Sequence, residues 1–307
     1  MKRKDQLIQL LRTASMELDK WASNEPRILE GTSSHPGKTI KLDNVVSTLG
    51  VKWNHKSNCL TFSLTPTTSS SIVTNREILS KIARLFDPLG WLAPIIIVAK
   101  LILQELWLHQ LDWDTSLNDD LSQHWLTFNQ HLRGVEDLSI PRWPGILLNQ
   151  IWHLHGFYDA SKRAYAAAIY SDSLGGQSTL LLAKTKVASI KRITIPRLEL
   201  CGAMLLLKLA KHLVHSLSSK PESVFLWTDS QIIIEWLKKH PSHWPTFVAN
   251  STSMIIATLP DATWSHVRSE SRPNRGLTPV LLSTHRLWWQ GPTWITKSQA
   301  NWPATTP

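Results

Sequence analysis

The order of apolar and polar positions changes near residues 135–148, and the part before that point predicts mainly helices. Thr74-Asn-Arg-Glu77 is typical of a helix cap, and Asp87-Pro-Leu-Gly90 is predicted to break the helix that follows it. The predicted helices are about Asp5–Leu18, Thr74–Phe86, Ile95–His109 and Leu121–Leu132, and the predicted strands are Val45–Trp53 and Cys59–Leu64.

The second part of the chain predicts three strands first, and then helices and strands in alternation. The strands are Ile151–Tyr158, Arg163–Tyr170 and Ser178–Lys184, followed by helix Ile195–Leu217, strand Val224–Thr228, helices Ser230–Lys239 and Phe247–Leu259, and strand Thr263–Arg268. This β-β-β-α-β-α-α-β order implies a mixed sheet with helices on its faces, which is an α/β fold.

Composition narrows the class of protein. The 307 residues suffice for two domains, and the net charge of +10 points to an anionic partner, most commonly nucleic acid, although basicity without function is equally compatible. Two distant cysteines, Cys59 and Cys201, exclude a disulfide scaffold and a cysteine-rich zinc module. The apolar run Trp91–Ala99 is too short to cross a bilayer, and no signal peptide is visible. We therefore expect a soluble, intracellular protein with no membrane partner.

Three acidic residues lie where the surrounding sequence is apolar. Asp159 follows Gly156-Phe-Tyr158, Glu199 lies within the helix predicted from Ile195, and Asp229 ends the strand Val224–Thr228. A buried carboxylate is costly unless it has a hydrogen-bond donor, a cation or a metal ion beside it.

Each acid also has an ordinary structural explanation. Asp229 precedes a helix and is compatible with a cap, Asp159 with a polar turn, and Glu199 with an ion pair to Arg197. Taken together, two strand ends and one helix are expected to bring the three acids to one sheet edge, as a divalent-metal site requires.

The motifs around these acids resemble a known family. Phe157-Tyr-Asp-Ala-Ser161, Thr194-Ile-Pro-Arg-Leu-Glu-Leu-Cys201 and Trp227-Thr-Asp-Ser230 resemble the ribonuclease H motifs of Pao/BEL-type LTR retrotransposons. The likeness extends over most of the chain, through Leu18-Asp-Lys-Trp-Ala-Ser-Asn24, Leu49-Gly-Val-Lys-Trp53, Ile82-Ala-Arg-Leu-Phe-Asp-Pro-Leu-Gly90, Leu111-Asp-Trp113 and His285-Arg-Leu-Trp-Trp-Gln-Gly-Pro-Thr-Trp294.

The resemblance implies a fragment of a Pol polyprotein. Its fold would be a ribonuclease H-like mixed sheet with flanking helices, preceded by a mostly helical reverse-transcriptase palm and thumb remnant. The implied domains are a palm remnant at 1–72, thumb or connection-like helices at 73–145, a ribonuclease H-like domain at 146–275 and a tail towards a missing integrase at 276–307.

The resemblance also implies the chemistry. Asp159, Glu199 and Asp229 match the first three acids of a four-acid site that binds Mg²⁺, or Mn²⁺, and cleaves RNA paired to DNA. The implied partners are RNA–DNA hybrid or other nucleic acid and other parts of the polyprotein. The expected location is the cytoplasm, with a virus-like particle or the nucleus as alternatives.

The sequence departs from the family pattern after the last predicted strand. Where the family has a Pro-Ala-Asp carrying the fourth acid, this chain runs from Asn274 directly into Arg275, and Glu270 is the nearest acid. We therefore expect impaired cleavage, with non-catalytic nucleic-acid binding or a decayed fragment as alternatives. Asp119-Asp120 lies in a polar segment unlike a polymerase motif. No polymerase, protease or integrase activity is expected.

Tryptophan is frequent, and its positions suggest packing more than base stacking. Six tryptophans fall on apolar faces and are predicted to be core residues: Trp21, Trp53, Trp91, Trp107, Trp236 and Trp244. Trp288, Trp289 and Trp294 lie in the tail, where they either pack against the sheet or are exposed.

Overall fold

The computed structural model describes residues 2–16, 21–29, 45–48, 51–64, 73–147, 149–173, 176–268 and 278–303. The chain forms two compact units, one of Met1–Ser63 with Glu136–Trp143 and one of Leu64–Val135 with Pro144–Pro307. The four-part domain assignment above stays a prediction. Glu270, Asn274 and Arg275, and the polar segments 31–37 and 65–71, lie outside the described residues.

The first unit contains helices α1 (Lys2–Thr13) and α2 (Pro26–Leu29) and a small antiparallel sheet. Its strands are β1 (Val45–Thr48), β2 (Val51–Asn54), β3 (Cys59–Phe62) and β4 (Ser139–Pro141), in that order. The prediction of one strand at Val45–Trp53 was wrong, because Val45–Thr48 and Val51–Asn54 are two strands that pair antiparallel. Both strands have strand-like residues, so the sequence pattern did not separate them. β4 was not predicted.

The second unit begins with helices α3 (Asn75–Ala83), α4 (Ala93–Leu108) and α5 (Asp119–Leu132). The predicted cap is confirmed, since the Thr74 side chain accepts a hydrogen bond from the Glu77 N–H. α3 ends three residues before its predicted end. The Asp87 carboxylate accepts hydrogen bonds from the N–H groups of Trp91 and Leu92, at 2.9 and 2.7 Å. These bonds stabilise the turn that precedes α4.

The main sheet of this unit has the strand order β7-β6-β5-β8-β9. β5, β6 and β7 are antiparallel, whereas β8 and β9 run parallel to β5. The strands are β5 (Trp152–Ala160), β6 (Ala164–Ser173), β7 (Gln177–Val187), β8 (Ser223–Thr228) and β9 (Thr263–His266), and the helices are α6 (Ile195–Ser216), α7 (Gln231–Lys238), α8 (Thr246–Thr258), α9 (Pro279–Thr284) and α10 (Arg286–Gln290). The predicted mixed sheet with flanking helices is confirmed.

Helix α6 covers one face of the main sheet. Alternate residues of β5, including Trp152, Leu154 and Tyr158, point to this face, and the leucines of α6 pack on them. The residues between them face the other way, where Phe157 and Trp227 contact Trp294. The tail therefore packs against the sheet, which was one of the two expectations for it.

Among the tryptophans predicted to be core residues, Trp91 is buried, but Trp107 is 65% exposed. The prediction for Trp107 was wrong because α4 is apolar around most of its circumference, so its pattern does not show which side is covered. None of the helices in the described ranges is long and apolar enough to span a bilayer.

The edge of β7 is covered by the turn before α4. The Ala183 N–H donates to the Leu89 carbonyl at 2.9 Å, and the Lys100 ammonium donates to the Thr185 carbonyl at 3.0 Å. Gly90 has a φ of +72°, and a Cβ there would lie 1.7 Å from the Ala183 carbonyl oxygen. Only glycine fits this turn, which protects an otherwise open strand edge.

Candidate metal site

The structure brings Asp159, Glu199 and Asp229 together. Asp159 lies near the end of β5, Glu199 in the second turn of α6, and Asp229 directly after β8. One carboxylate oxygen from each lies within 4.8 Å of the others. The sequence predicted a strand that ends at Tyr158, with Asp159 after it. In the structure β5 extends to Ala160, so Asp159 belongs to the strand.

The helix cap after β8 and the turn after β5 are formed by residues next to the acids. Ser230, and not Asp229, is the N-cap residue of α7. The Arg197 guanidinium lies over the Phe247 ring, 5.4 Å from its centre. The turn after β5 is closed by Ser161, whose hydroxyl accepts hydrogen bonds from the N–H groups of the two residues at its far side.

Strand pairing explains why Asp159 and Asp229 meet. β5 and β8 are parallel neighbours with Phe157 opposite Trp227, so their carboxyl ends reach the same sheet edge. The residues just before the two acids are also joined, because the Thr228 hydroxyl donates to the Tyr158 hydroxyl at 2.7 Å. Both side chains are fully buried, which fixes the two strand ends relative to each other.

The close approach of α6 brings in Glu199. A Cβ at Gly202 would lie 2.6 Å from the Tyr158 ring, so only glycine allows the helix to pack this near the strand. Glu199 precedes Gly202 by three residues and therefore lies on the same side of the helix. The Tyr158 side chain thus contacts α6 through its ring and the end of β8 through its hydroxyl.

The donor set suits a hard divalent cation. It consists of carboxylate oxygens alone, and Glu199 is only 9% exposed. Mg²⁺ and Mn²⁺ prefer such oxygen ligands, and separations up to 4.8 Å are compatible with ligands of one ion or of two ions roughly 4 Å apart.

Comparison with known families identifies the chain. Residues 74–230, about half of it, match the model of the Pao retrotransposon-like RNaseH-like domain. The chain belongs to this family. The match includes α3, α4 and α5 together with β5 to β8 and α6, and therefore all three acids. No curated protein that was compared matches the chain.

Solved structures of several nucleases and polymerases are similar to this Pao-type domain. Ribonuclease H1 of Halobacterium salinarum NRC-1 is 17% identical, with a TM-score of 0.29 over 38% of this chain and 87% of that one. LC11 ribonuclease H1 with an RNA/DNA hybrid is 11% identical, with a TM-score of 0.30 over 39% and 86%. The foamy viral protease–reverse transcriptase dRH with double-stranded DNA is 12% identical, with a TM-score of 0.44 over 74% of this chain and 38% of that one.

The Pao-type domain contains a second group of possible metal ligands, which the sequence did not predict. His153, His155 and Asp172 lie together on the face of the main sheet opposite α6. The His153-x-His155 spacing within a predicted strand was the available signal, since it places both rings on one face.

This second group does not fit a metal ion. The Trp227 indole N–H donates to Nδ1 of His155 at 3.2 Å, so the ring proton lies on Nε2, 3.4 Å from the Asp172 carboxylate. A histidine that binds metal through Nε2 needs its proton on Nδ1. Burial lowers the pKa of His155. Burial opposes ionisation of Asp172, but the neighbouring His155 and His153 rings hold the pKa of its carboxyl below the ordinary value.

Proposed function

We propose that this domain binds RNA–DNA hybrid, that it binds divalent metal at Asp159, Glu199 and Asp229, and that its cleavage of the RNA strand is impaired. The observation that carries the proposal is the convergence of the three carboxylates at one sheet edge. We further propose that it derives from the Pol polyprotein of a Pao/BEL-type LTR element, with other parts of that polyprotein as partners.

The three acids would hold Mg²⁺, or Mn²⁺ in its place. When bound, such ions lower the pKa of a water that attacks the scissile phosphate and stabilise the oxygen that leaves. The chain's own contribution is placement, because the buried Tyr158–Thr228 hydrogen bond keeps two of the acids at fixed separation. Selection of a hybrid would rest on its groove shape and 2′-hydroxyls.

Impairment is proposed because the fourth acid of the family pattern is missing from the sequence. The chain passes from Asn274 to Arg275 where that acid is expected. With one anionic ligand fewer, a second ion would bind weakly. The same observation supports the second candidate function, nucleic-acid binding without cleavage.

For the remaining parts of the chain we propose roles that rest on their resemblance to a reverse transcriptase. Residues 1–72 would be a palm remnant, 73–145 thumb-like helices, and 276–307 the segment leading to an integrase. Asp119 and Asp120, the adjacent acids, lie exposed in the first turn of α5, which is unlike a polymerase metal site.

Cleavage of labelled RNA–DNA hybrid in Mg²⁺ or Mn²⁺ tests the proposal. We expect low activity in Mg²⁺, partial rescue by Mn²⁺, and loss of all activity in Asp229→Asn, which a contaminating nuclease would survive. Insertion of Pro-Ala-Asp and its short flank between Asn274 and Arg275 should raise the rate, whereas the same insertion with Asn in place of Asp should not. A wild-type chain that cleaves fast in Mg²⁺ and gains nothing from the insertion would refute the impairment, and Glu270→Gln would then be examined.

A further inference from the structure

Positive charge is concentrated in one stretch of the second unit. Between Ala160 and Leu198 the only acid is Asp172, which is 8% exposed and lies beside two histidines. The same stretch contains seven cationic residues: Lys162, Arg163, Lys184, Lys186, Lys191, Arg192 and Arg197.

Two of the seven are engaged within the fold. The Arg163 guanidinium pairs with Glu105 at 2.6 Å, and that of Arg197 lies over Phe247. The other five are exposed, and none forms an ion pair within the described ranges of the chain. We name these five the basic rim: Lys162, Lys184, Lys186, Lys191 and Arg192.

Strand register places the basic rim beside the carboxylates. Asp159 pairs with Ala166 on β6, and Ala166 pairs with Thr185 on β7, between Lys184 and Lys186. Two strand spacings put this part of β7 about 10 Å from Asp159.

The rim also lies on the side of the sheet that carries Glu199. Lys184 and Lys186 share the face of Leu182, which packs under α6, because side chains two residues apart on a strand point the same way. The Ala188 N–H donates to the Arg163 carbonyl at 2.8 Å, which brings the turn with Lys162 alongside the end of β7. Lys191 and Arg192 lie in the loop that connects β7 to α6.

Besides burial, the positive potential of the basic rim lowers the pKa of a neighbouring lysine, Lys100. Burial lowers the pKa of Lys100, and the nearby charges of Lys184 and Lys186 lower it further. Accumulated cations without anionic partners raise the free energy of the folded chain, and a polyanion relieves that repulsion.

We propose that the basic rim binds the phosphate backbone of an RNA–DNA hybrid and so directs its RNA strand to the three carboxylates. This rests on the proposed function for the identity of the ligand. Phosphodiester contacts of this kind position a duplex without reading its sequence. The rim should therefore set affinity and salt dependence, and contribute little to base preference.

The test compares two variants with equal change in net charge. The rim variant replaces Lys184, Lys186, Lys191 and Arg192 by Gln, and the control variant replaces the exposed Lys208, Lys211, Lys239 and Lys297 by Gln. Fluorescence anisotropy with a labelled hybrid, in EDTA so that no metal contributes, gives the dissociation constant at several salt concentrations. Circular dichroism on heating verifies that both variants fold, and a Lys191→Gln/Arg192→Gln variant confined to the loop is available if the larger one does not.

For the rim variant we expect at least tenfold weaker binding, and a slope of log affinity against log salt reduced by about 0.9 for each phosphate that the variant no longer neutralises. The control should keep nearly the wild-type slope. Equal weakening in both variants would overturn the rim and leave hybrid binding intact, because net charge alone would explain it. A wild-type chain that does not bind hybrid would overturn the proposed function itself.

Discussion

The two faces of the main sheet differ in the side chains that cover them and in how far along the sequence the covering segments lie. α6 follows β7 after seven residues and covers one face with aliphatic side chains. The opposite face is aromatic, and its cover comes from α4 and from residues 286–302, far away in the sequence.

The difference shows in how each face is held. The α6 face is a close-packed leucine core with the Thr228–Tyr158 hydrogen bond at its end, whereas hydrogen bonds on the other face join the sheet to segments that are distant in the sequence. The Tyr170 hydroxyl donates to the Trp288 carbonyl at 2.9 Å, and the Trp288 indole donates to the Trp91 carbonyl at 2.9 Å. Trp288 thus joins β6, α10 and the segment before α4 at one buried point.

The largest expected effect comes from breaking that point. Trp288→Ala should lower the free energy of unfolding by about 4 kcal/mol, since it removes a 1%-exposed ring and its hydrogen bond. Denaturant unfolding monitored by circular dichroism gives the value. Trp107→Ala is the matched control, because that ring is 65% exposed and should cost under about 1 kcal/mol. If Trp288→Ala lowered the free energy of unfolding as little as Trp107→Ala, the tail would not be part of the folded core.

The same contrast explains what could be predicted from sequence. The helix at Ile195–Ser216 and the convergence of acids at strand ends follow from local periodicity and strand order, which short windows reveal. The partners of His155 and the docking of Trp288 depend on interactions between distant segments. Nor could the sequence alone show that Gly202 allows α6 to approach the Tyr158 ring.

A second, smaller effect concerns the turn that connects α4 to the sheet edge. Burial raises the pKa of Asp87 to about 6 from 3.8, although hydrogen bonds from Leu92 and Trp91 act against this. The folded chain therefore holds a proton that the unfolded chain releases above pH 3.8. Its stabilising contribution is complete below about pH 4 and is lost as pH rises through about 6, by on the order of 3 kcal/mol.

Asp87→Asn separates this contribution from that of the other acids. The difference in unfolding free energy between wild type and variant should shrink as pH rises from about 4 to about 7, measured by urea unfolding at each pH. Asp114→Asn, at an exposed ion pair with Arg76, is the control and should show no such trend in this direction. A difference that stays constant with pH would show that Asp87 ionises normally in the folded chain.

The smallest effect is expected on the α6 face, beneath the acids. Tyr158→Phe keeps the ring that packs under Gly202 and removes the hydroxyl that accepts from Thr228. The change should lower the free energy of unfolding by about 1 kcal/mol. The affinity for Mn²⁺, measured by calorimetry, should fall more than this destabilisation would explain, because the hydrogen bond holds the strand ends that carry Asp159 and Asp229.

Two comparisons isolate that role. Ile255→Val in α8 removes one buried methylene and should destabilise by a similar amount, about 1 kcal/mol, while leaving Mn²⁺ affinity unchanged. Thr228→Val, alone and combined with Tyr158→Phe, completes a double-mutant cycle whose coupling free energy should also be about 1 kcal/mol. Zero coupling, or an equal fall of Mn²⁺ affinity in Ile255→Val, would mean that the hydrogen bond only stabilises the core. The acids would then owe their positions to the backbone of β5 and β8 alone.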